Sequence, residues 1–569
     1  MKKSILLLAL ASFVVCNAFA VDVVVNPGES IYDAIQKVRN MRRLAKTAEH
    51  YTIILKGGEY VLDEPLTLRP EDGGRSNACG LTIKSADGEQ AVISGSAKVE
   101  GWKKQGRLWV AQAPRCNGRT LQVRQMWVNG KKALRSTQFG EYKLERMLDF
   151  NATNRTITIP TPKNIQDLRR AESLEMLVHQ RWAIAILRVK DMKVLAGGKT
   201  EVSFLEPESH LEFLHPWPQP IIDGEKGSSS FCLQNALCLV DEPGEWYEDE
   251  SGRIYYYPQP GEDMSIADVR IPRLERLLSI EGSPIAKVSN IEIKNINFEY
   301  AAWNRPSEKG HVTLQGGFAI TEAYKLQDAG LPWNANLENQ AWIERPQAAV
   351  QAAWCSHVNF VSCGFSHLAA TALDYHTGMK HSQINDNVFT DIGGTAILVG
   401  SFAEGATEVH NPLVIGNEEY TEHIRIQNNT INDATNEDWG AVGIGAGYVR
   451  HTVITGNELN HLNYSGICVG WGWTAHDTGM CCNEISNNRV SDFARMLYDA
   501  GGIYTLSNQP ESQITDNTIK ALGEAPYATN DRGFYIYLDE ATDGYTISGN
   551  KCDAPKFGDN KPGPKVVWK

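Results

Sequence analysis

The chain has 569 residues, 42% of them hydrophobic, and a formal net charge of −13. That length and apolar content supply a large buried core. The negative charge disfavours nucleic acid and strongly anionic polymers as partners and suits a neutral or weakly charged ligand.

Residues 1–20 read as a secretory signal peptide: Lys2 and Lys3 precede an apolar run from Ile5 to Val15, and Ala18-Phe-Ala20 forms a small-x-small cleavage site. Cleavage there starts the mature chain at Val21 and, by removing the two lysines, takes the charge from −13 to −15. The expected product is exported, periplasmic or extracellular. Cys16 lacks the small preceding residue of a lipidated cysteine, since Val15 stands there. No later stretch reaches the ~20 apolar residues of a membrane-spanning helix, so a soluble monomer without membrane insertion is expected.

Residues 21–100 read as a cap and first coils of a solenoid. Ser30 to Leu44 suits one short helix covering an open sheet edge. Tyr51-Thr-Ile-Ile-Leu, Leu81-Thr-Ile-Lys and Ala91-Val-Ile-Ser are extended segments broken by Gly and Asp turns. Residues 101–272 change character, with Trp-rich alternating stretches such as Gln125-Met-Trp-Val-Asn-Gly and Ile254-Tyr-Tyr-Tyr-Pro. They predict an inserted β-rich domain, sandwich-like in form, packed on the solenoid. From about Leu277 the coils resume as the main body, residues 273–569. A long loop between Phe298 and Cys355, holding Trp303, His311, Trp333 and Trp342, is placed to wall a binding cleft.

The main body repeats the phrase I-x-x-N at Ile384-Asn387, Ile426-Asn429, Ile454-Asn457, Ile485-Asn488, Ile514-Asn517 and Ile547-Asn550, at intervals of 42, 28, 31, 29 and 33 residues. Two residues after each Asn comes Phe389, Ile431, Leu459, Val490, Ile519 or Cys552. A fixed phrase at irregular spacing describes a solenoid with loops of variable length. The fold class is therefore all-β, a right-handed parallel β-helix, with the Asn side chains stacked at one corner to satisfy buried polar groups. Earlier phrases, Ile293 to Phe298 and Phe360 to Phe365, fit with substitutions. Cys363 and Cys552 occupy stack positions as small hydrophobes. Adjacent Cys481 and Cys482 lack C-x-x-C spacing and no H-E-x-x-H motif occurs, so neither a metal nor another cofactor is expected.

Each complete coil carries a third strand, among them Gly394 to Val399, Ser465 to Val469, Gly501 to Tyr504 and Phe534 to Leu538. Stacked strands lie ~4.8 Å apart, so their outward side chains make a dense row. Beside that row stand Asp438, Asp499, Asp539 and Glu540, with Trp439, Trp471, Trp473, Tyr504 and Tyr537. Carboxylates supply the acid and base or nucleophile of glycosidic cleavage, and aromatic faces match the apolar faces of sugar rings. Taken singly, each Asp is equally a turn residue capping its own backbone, and each aromatic equally core filler.

The phrases Gly57-Gly-Glu-Tyr, Trp127-Val-Asn-Gly, Asp241-Glu-Pro-Gly-Glu-Trp-Tyr, Asp499-Ala-Gly-Gly-Ile-Tyr and Tyr537-Leu-Asp-Glu resemble those of secreted β-helical enzymes similar to glycoside hydrolase family 141. The resemblance spans most of the mature chain. It implies a glycoside hydrolase acting on plant cell-wall polysaccharide or oligosaccharide, α-L-fucosidase-like or xylan-active, with Asp499 and Asp539 as the catalytic pair. The other carboxylates and the aromatics beside the third-strand row, Asp438, Trp439, Trp471, Trp473, Tyr504, Tyr537 and Glu540, are the expected substrate-binding residues.

Register adds a constraint. If Ile503-Tyr504 stacks on Ile536-Tyr537, Asp499 precedes its strand while Asp539 ends the next, an offset of several residues at ~3.3 Å each. A bulge at Ala500-Gly-Gly shortens it; otherwise Asp438 replaces one member. Two alternatives stand beside hydrolysis: a polysaccharide lyase, for which the late coils offer only Arg489, Arg495 and Arg532 as bases, and a non-catalytic carbohydrate-binding or adhesion β-helix.

Overall fold

The computed structural model describes residues 20–45, 49–116, 119–215, 217–323, 341–405, 408–410 and 413–569. The signal-peptide reading, which but for Ala20 concerns residues 1–19, and Trp333 both lie outside them. No helix among the described residues is long and apolar enough to cross a membrane.

Three long parallel sheets form the body. The first, of twelve strands, runs from Ala20–Val25 through His50–Leu55 and Leu81–Ser85 to Val288–Lys294, then climbs to Val567–Trp568. The second and third, of ten strands each, rise in step with it, which is the expected parallel β-helix. The repeat sets the register. Ile384, Ile426, Ile454, Ile485, Ile514 and Ile547 are successive partners in the first sheet. Phe389, Ile431, Leu459, Val490, Ile519 and Cys552 pair likewise in the second. Ile397, Ile444, Ile467, Ile503 and Ile536 do so in the third. All but the half-buried Cys552 are buried, each contributing about 1.5–3 kcal/mol of hydrophobic stabilisation.

The corner between the first two sheets explains the third letter of the phrase. Asp386, Asn428, Gly456, Asn487, Asp516 and Gly549 all have φ between 55° and 69°. That left-handed region is tolerated best by Gly, Asn and Asp. The turn it makes aims the next residue, the ladder Asn, into the helix. Each Asn side-chain oxygen then accepts from the backbone N–H and the side-chain amide of the Asn one coil before, at 2.9–3.0 Å from Asn387 through Asn550. Each amide also donates to an interior carbonyl, as Asn488 does to Ile454 at 2.9 Å. Cys363 heads the column, its N–H donating to Asn387.

The N-terminal helix Ile31–Leu44 caps the open end: Ser30 accepts from the N–H of Asp33, and Ile31, Ala34, Ile35 and Val38 face the first coil. Arg39 clamps it to Asp72 through two hydrogen bonds of 2.6 Å.

The chain leaves the helix after Ser94 and returns at Leu278–Glu281. In between, a four-stranded and a five-stranded sheet share one core around Met126, Val128, Trp246, Ile254 and Ile271. A larger antiparallel sheet holds the hairpin of Glu175–Gln180 and Ala183–Leu195. The later loop joins that sheet, since His311–Gln315 pairs with Ala183–Leu195. The excursion is bolted to the coils by Trp127, whose indole N–H donates to Asp391 at 2.6 Å, by Lys132 between Asp391 and Glu437, and by His179 against the Met496 carbonyl.

Candidate active site

In the third sheet the interior Ile positions alternate with outward ones, and Leu398, Gly445, Cys468, Tyr504 and Tyr537 are partners in one outward row. Where this row reaches the last coils, the inserted domain stands over it and leaves a cleft of about 500 Å³.

Asp499 and Asp539 both line this cleft. Asp539 follows the strand Gly533–Leu538 directly. Its carboxylate accepts from Asn560 at 2.8 Å, from the Trp473 indole at 3.3 Å and from the Tyr504 hydroxyl. Tyr504 is itself fixed by Gln315, whose amide donates to that hydroxyl at 3.0 Å. Asp499 sits just before the strand Ala500–Thr505 with a φ of 58°. Its backbone carbonyl accepts from the Tyr464 hydroxyl at 3.0 Å, and its carboxylate from Arg532 at 2.9 Å. Arg532 also donates to the Tyr537 hydroxyl. Tyr504 and Tyr537 meet edge to face with centroids 5.2 Å apart. A chain of contacts thus runs from Asp499 through Arg532, Tyr537 and Tyr504 to Asp539.

The register retains the offset. Ala500 pairs with Gly533 and Thr505 with Leu538, so the two aspartates enter from opposite ends of the strand pair. Their environments differ. Burial pushes the Asp499 carboxyl above the usual carboxylate range; Arg532 and the Tyr537 hydroxyl oppose this, and the charge of Asp539 adds to it.

The aromatic wall comes largely from elsewhere in the chain. Gln180 pairs with Ala183, leaving Arg181-Trp182 as a two-residue hairpin tip, and Arg181 has a φ of 50°. The tip reaches the coils: the Arg181 carbonyl accepts from the Tyr498 N–H at 3.1 Å and the Trp182 indole donates to Leu314 at 2.8 Å. Trp182 lies nearly parallel to Trp217, with centroids 6.3 Å apart, and the Arg181 guanidinium covers the Trp217 ring at 4.5 Å. His410 and Trp473 close the far side with ring centroids 5.5 Å apart.

Of the residues singled out in the sequence, Trp473, Tyr504, Tyr537 and Glu540 line the cleft with the two aspartates. Glu540 pairs with Lys561 at 3.2 Å. Asp438, Trp439 and Trp471, expected to bind substrate with them, are not among its lining residues. Asp438 precedes Ile444 by six residues where Asp499 precedes Ile503 by four. It contacts His311 at 3.0 Å in a separate small pocket beneath Trp303. Trp439 is buried against Tyr142 with centroids 5.4 Å apart. Trp471 is buried between Phe318 and Phe402. Sequence reading missed Trp182, Trp217, Gln315, His410 and Asn560, which belong to no repeat. The one usable signal was the two-residue Arg181-Trp182 turn between apolar runs.

Residues 106–259 match the model of the GH141 insertion domain. A solved structure described as "Glycoside hydrolase" is 36% identical over 96% of this chain and 96% of its own, with a TM-score of 0.92. The complex of XylC with xylose is 11% identical over 93% of this chain and 68% of its own, TM-score 0.44. A DFA-IIIase from Arthrobacter chlorophenolicus A6 is 12% identical over 95% of this chain and 86% of its own, TM-score 0.36. At those values neither of the last two bears on the chemistry here. No curated protein matches the chain.

Proposed function

The chain belongs to glycoside hydrolase family 141, and from that premise we propose that Asp499 and Asp539 cleave a neutral glycan of plant cell-wall type, an α-L-fucoside or a xylan, without a cofactor and after export. The observation that carries this reading is the contrast between two carboxyls in one aromatic-walled cleft. Divergent surroundings are what assign an acid and a base. Burial favours the protonated form of the Asp499 carboxyl, which suits it to give a proton to the leaving oxygen as general acid. Asp539 meets three donors. A carboxylate offering only lone pairs matches them, which suits a general base. Entry from opposite ends of the strand pair favours inversion, the reaction that uses carboxyls about 6.5–9.5 Å apart with a water between the base and the sugar.

The test is a glycan panel scored for reducing sugar with wild type beside Asp539→Asn, the anomer first released being read by NMR. An unsaturated product absorbing in the ultraviolet supports a lyase instead, and binding without turnover on any glycan supports an adhesion module.

Two further outcomes follow from the cleft. Arg532 lowers the Asp499 pKa, so Arg532→Met raises it. A general acid works only while protonated, and the alkaline limb of the kcat/KM profile therefore moves to higher pH; a limb that stays or falls contradicts Asp499 as the acid. Trp182→Ala removes part of the wall without touching either aspartate. KM should rise while kcat changes little, the pattern of lost uniform binding, and an unchanged KM removes Trp182 from the substrate path.

A further inference from the structure

A second column of side chains climbs the β-helix away from the Asn ladder. Six residues before Ile296, Cys363, Asn387, Asn429, Asn457, Asn488, Asn517 and Asn550 stand Asn290, His357, His381, His423, His451, Cys482, Glu511 and Gly544. All eight are left-handed, with φ from 48° to 74°. The N–H groups of His423, His451 and Cys482 donate to the carbonyls of Arg450, Cys481 and Pro510, which sets each column residue one coil beyond the last. The four imidazoles stack with centroid separations of 5.4, 4.7 and 4.8 Å.

The column changes chemistry after the fourth histidine. Cys482 takes the next place and Glu511 the one after, its carboxylate 3.8 Å from the Cys482 sulfur. In an extended strand, adjacent side chains point to opposite faces, but the left-handed turn at Cys482 brings its neighbour round. One donor atom each from His451, Cys481 and Cys482 lies within 4.8 Å of the others. Around a tetrahedral Zn²⁺ with bonds of about 2.0–2.3 Å, donors stand roughly 3.3–3.8 Å apart, a small closure for side chains at a surface corner.

We propose that His451, Cys481 and Cys482, with Glu511 as fourth donor, bind a thiophilic divalent ion of the Zn²⁺ class and so clamp three consecutive coils. The two thiols lose their protons to solvent as the sulfur–metal bonds form. Soft sulfur and imidazole donors select Zn²⁺, Co²⁺ or Cd²⁺ over Mg²⁺ or Ca²⁺. The clamp includes Glu511 on the strand Asn508–Thr515, which follows the strand bearing Tyr504. It stiffens the coil under the cleft and takes no part in bond cleavage.

The experiment is titration of the reduced, untagged full chain with Co²⁺. One equivalent is expected to bind with an intense thiolate-to-metal charge-transfer band, and Zn²⁺ should displace it. The double variant Cys481→Ser/Cys482→Ser should lose the band, while His451→Ala and Glu511→Gln, which leave both thiols in place, should bind at least about tenfold more weakly. The wild-type denaturation midpoint should rise with Zn²⁺ concentration, as for any ligand of the folded state. Absence of the band in wild type overturns the proposal, as does an unchanged band in the double variant or unchanged affinity in His451→Ala. Since binding is the readout, failure here leaves the glycosidase reading standing.

Discussion

Asp539→Asn should keep the β-helix intact and lower kcat by about 10³-fold or more on whichever glycan the wild type cleaves. The amide has the volume of the carboxylate and can still accept from Asn560, Trp473 or Tyr504, the three donors that surround it. The Tyr504 hydroxyl can also turn to accept from the new amide, so packing survives. What disappears is the ability to take a proton from water or to attack. Asp499→Asn should lose a comparable factor on natural glycosides but far less on aryl glycosides, whose leaving groups need no proton. That split separates the acid from the base. Reducing-sugar release with far-ultraviolet circular dichroism on the same samples checks both; near-wild-type turnover in a folded Asp539→Asn removes the residue from the mechanism.

The largest effect on stability is expected at the middle of the Asn column. Asn488 accepts from the Asn457 backbone N–H and side-chain amide and donates to Asn517 and to the Ile454 carbonyl. Asn488→Ala leaves the two Asn457 donors without partners at a site fully shielded from water and removes the side-chain donor from the Ile454 carbonyl, which keeps its ladder bond. At about 1–3 kcal/mol for each stranded group, with partial relaxation, the loss should be about 3 kcal/mol. Asn488→Asp keeps the acceptor for Asn457 but loses both amide donations and buries a charge, so it should rescue little. Urea denaturation checks both, and an unmoved midpoint for Asn488→Ala contradicts the shared hydrogen bonds.

Much of this molecule is legible from its repeats. Ile384, Asn387 and Phe389 announce one corner, and their equivalents fix strand register through the last coil because every coil must bury the same rows. The cleft is legible where it is built from those coils, at Asp499, Tyr504, Tyr537 and Asp539. It is not legible where side chains arrive from the inserted hairpin and from the loop after Phe298, since Trp182, Trp217 and Gln315 reach it through tertiary packing that leaves no period. Asp438 looked equivalent to Asp499, yet two extra residues before its strand deliver it to His311 instead. The column from His357 to Glu511 was available in principle, because its intervals repeat those of the Asn ladder. Its residue types change along the way, and a pattern sought by identity hides one held by backbone conformation.

The continuous register across the excursion also bears on the order of assembly during synthesis. Leu81 pairs directly with Ile291, although the whole inserted domain lies between them. As the chain emerges N-terminus first, the strand Leu81–Ser85 can pair behind itself with His50–Leu55, but its forward edge must wait for roughly 200 further residues. At about 5–20 residues per second that is about 10–40 s during which an unpaired strand edge lies open to wrong partners. From Val288 onward each new strand of the first sheet finds its template already laid, so the remaining coils can add by zippering. The vulnerable interval is confined to the time before Val288–Lys294 arrives.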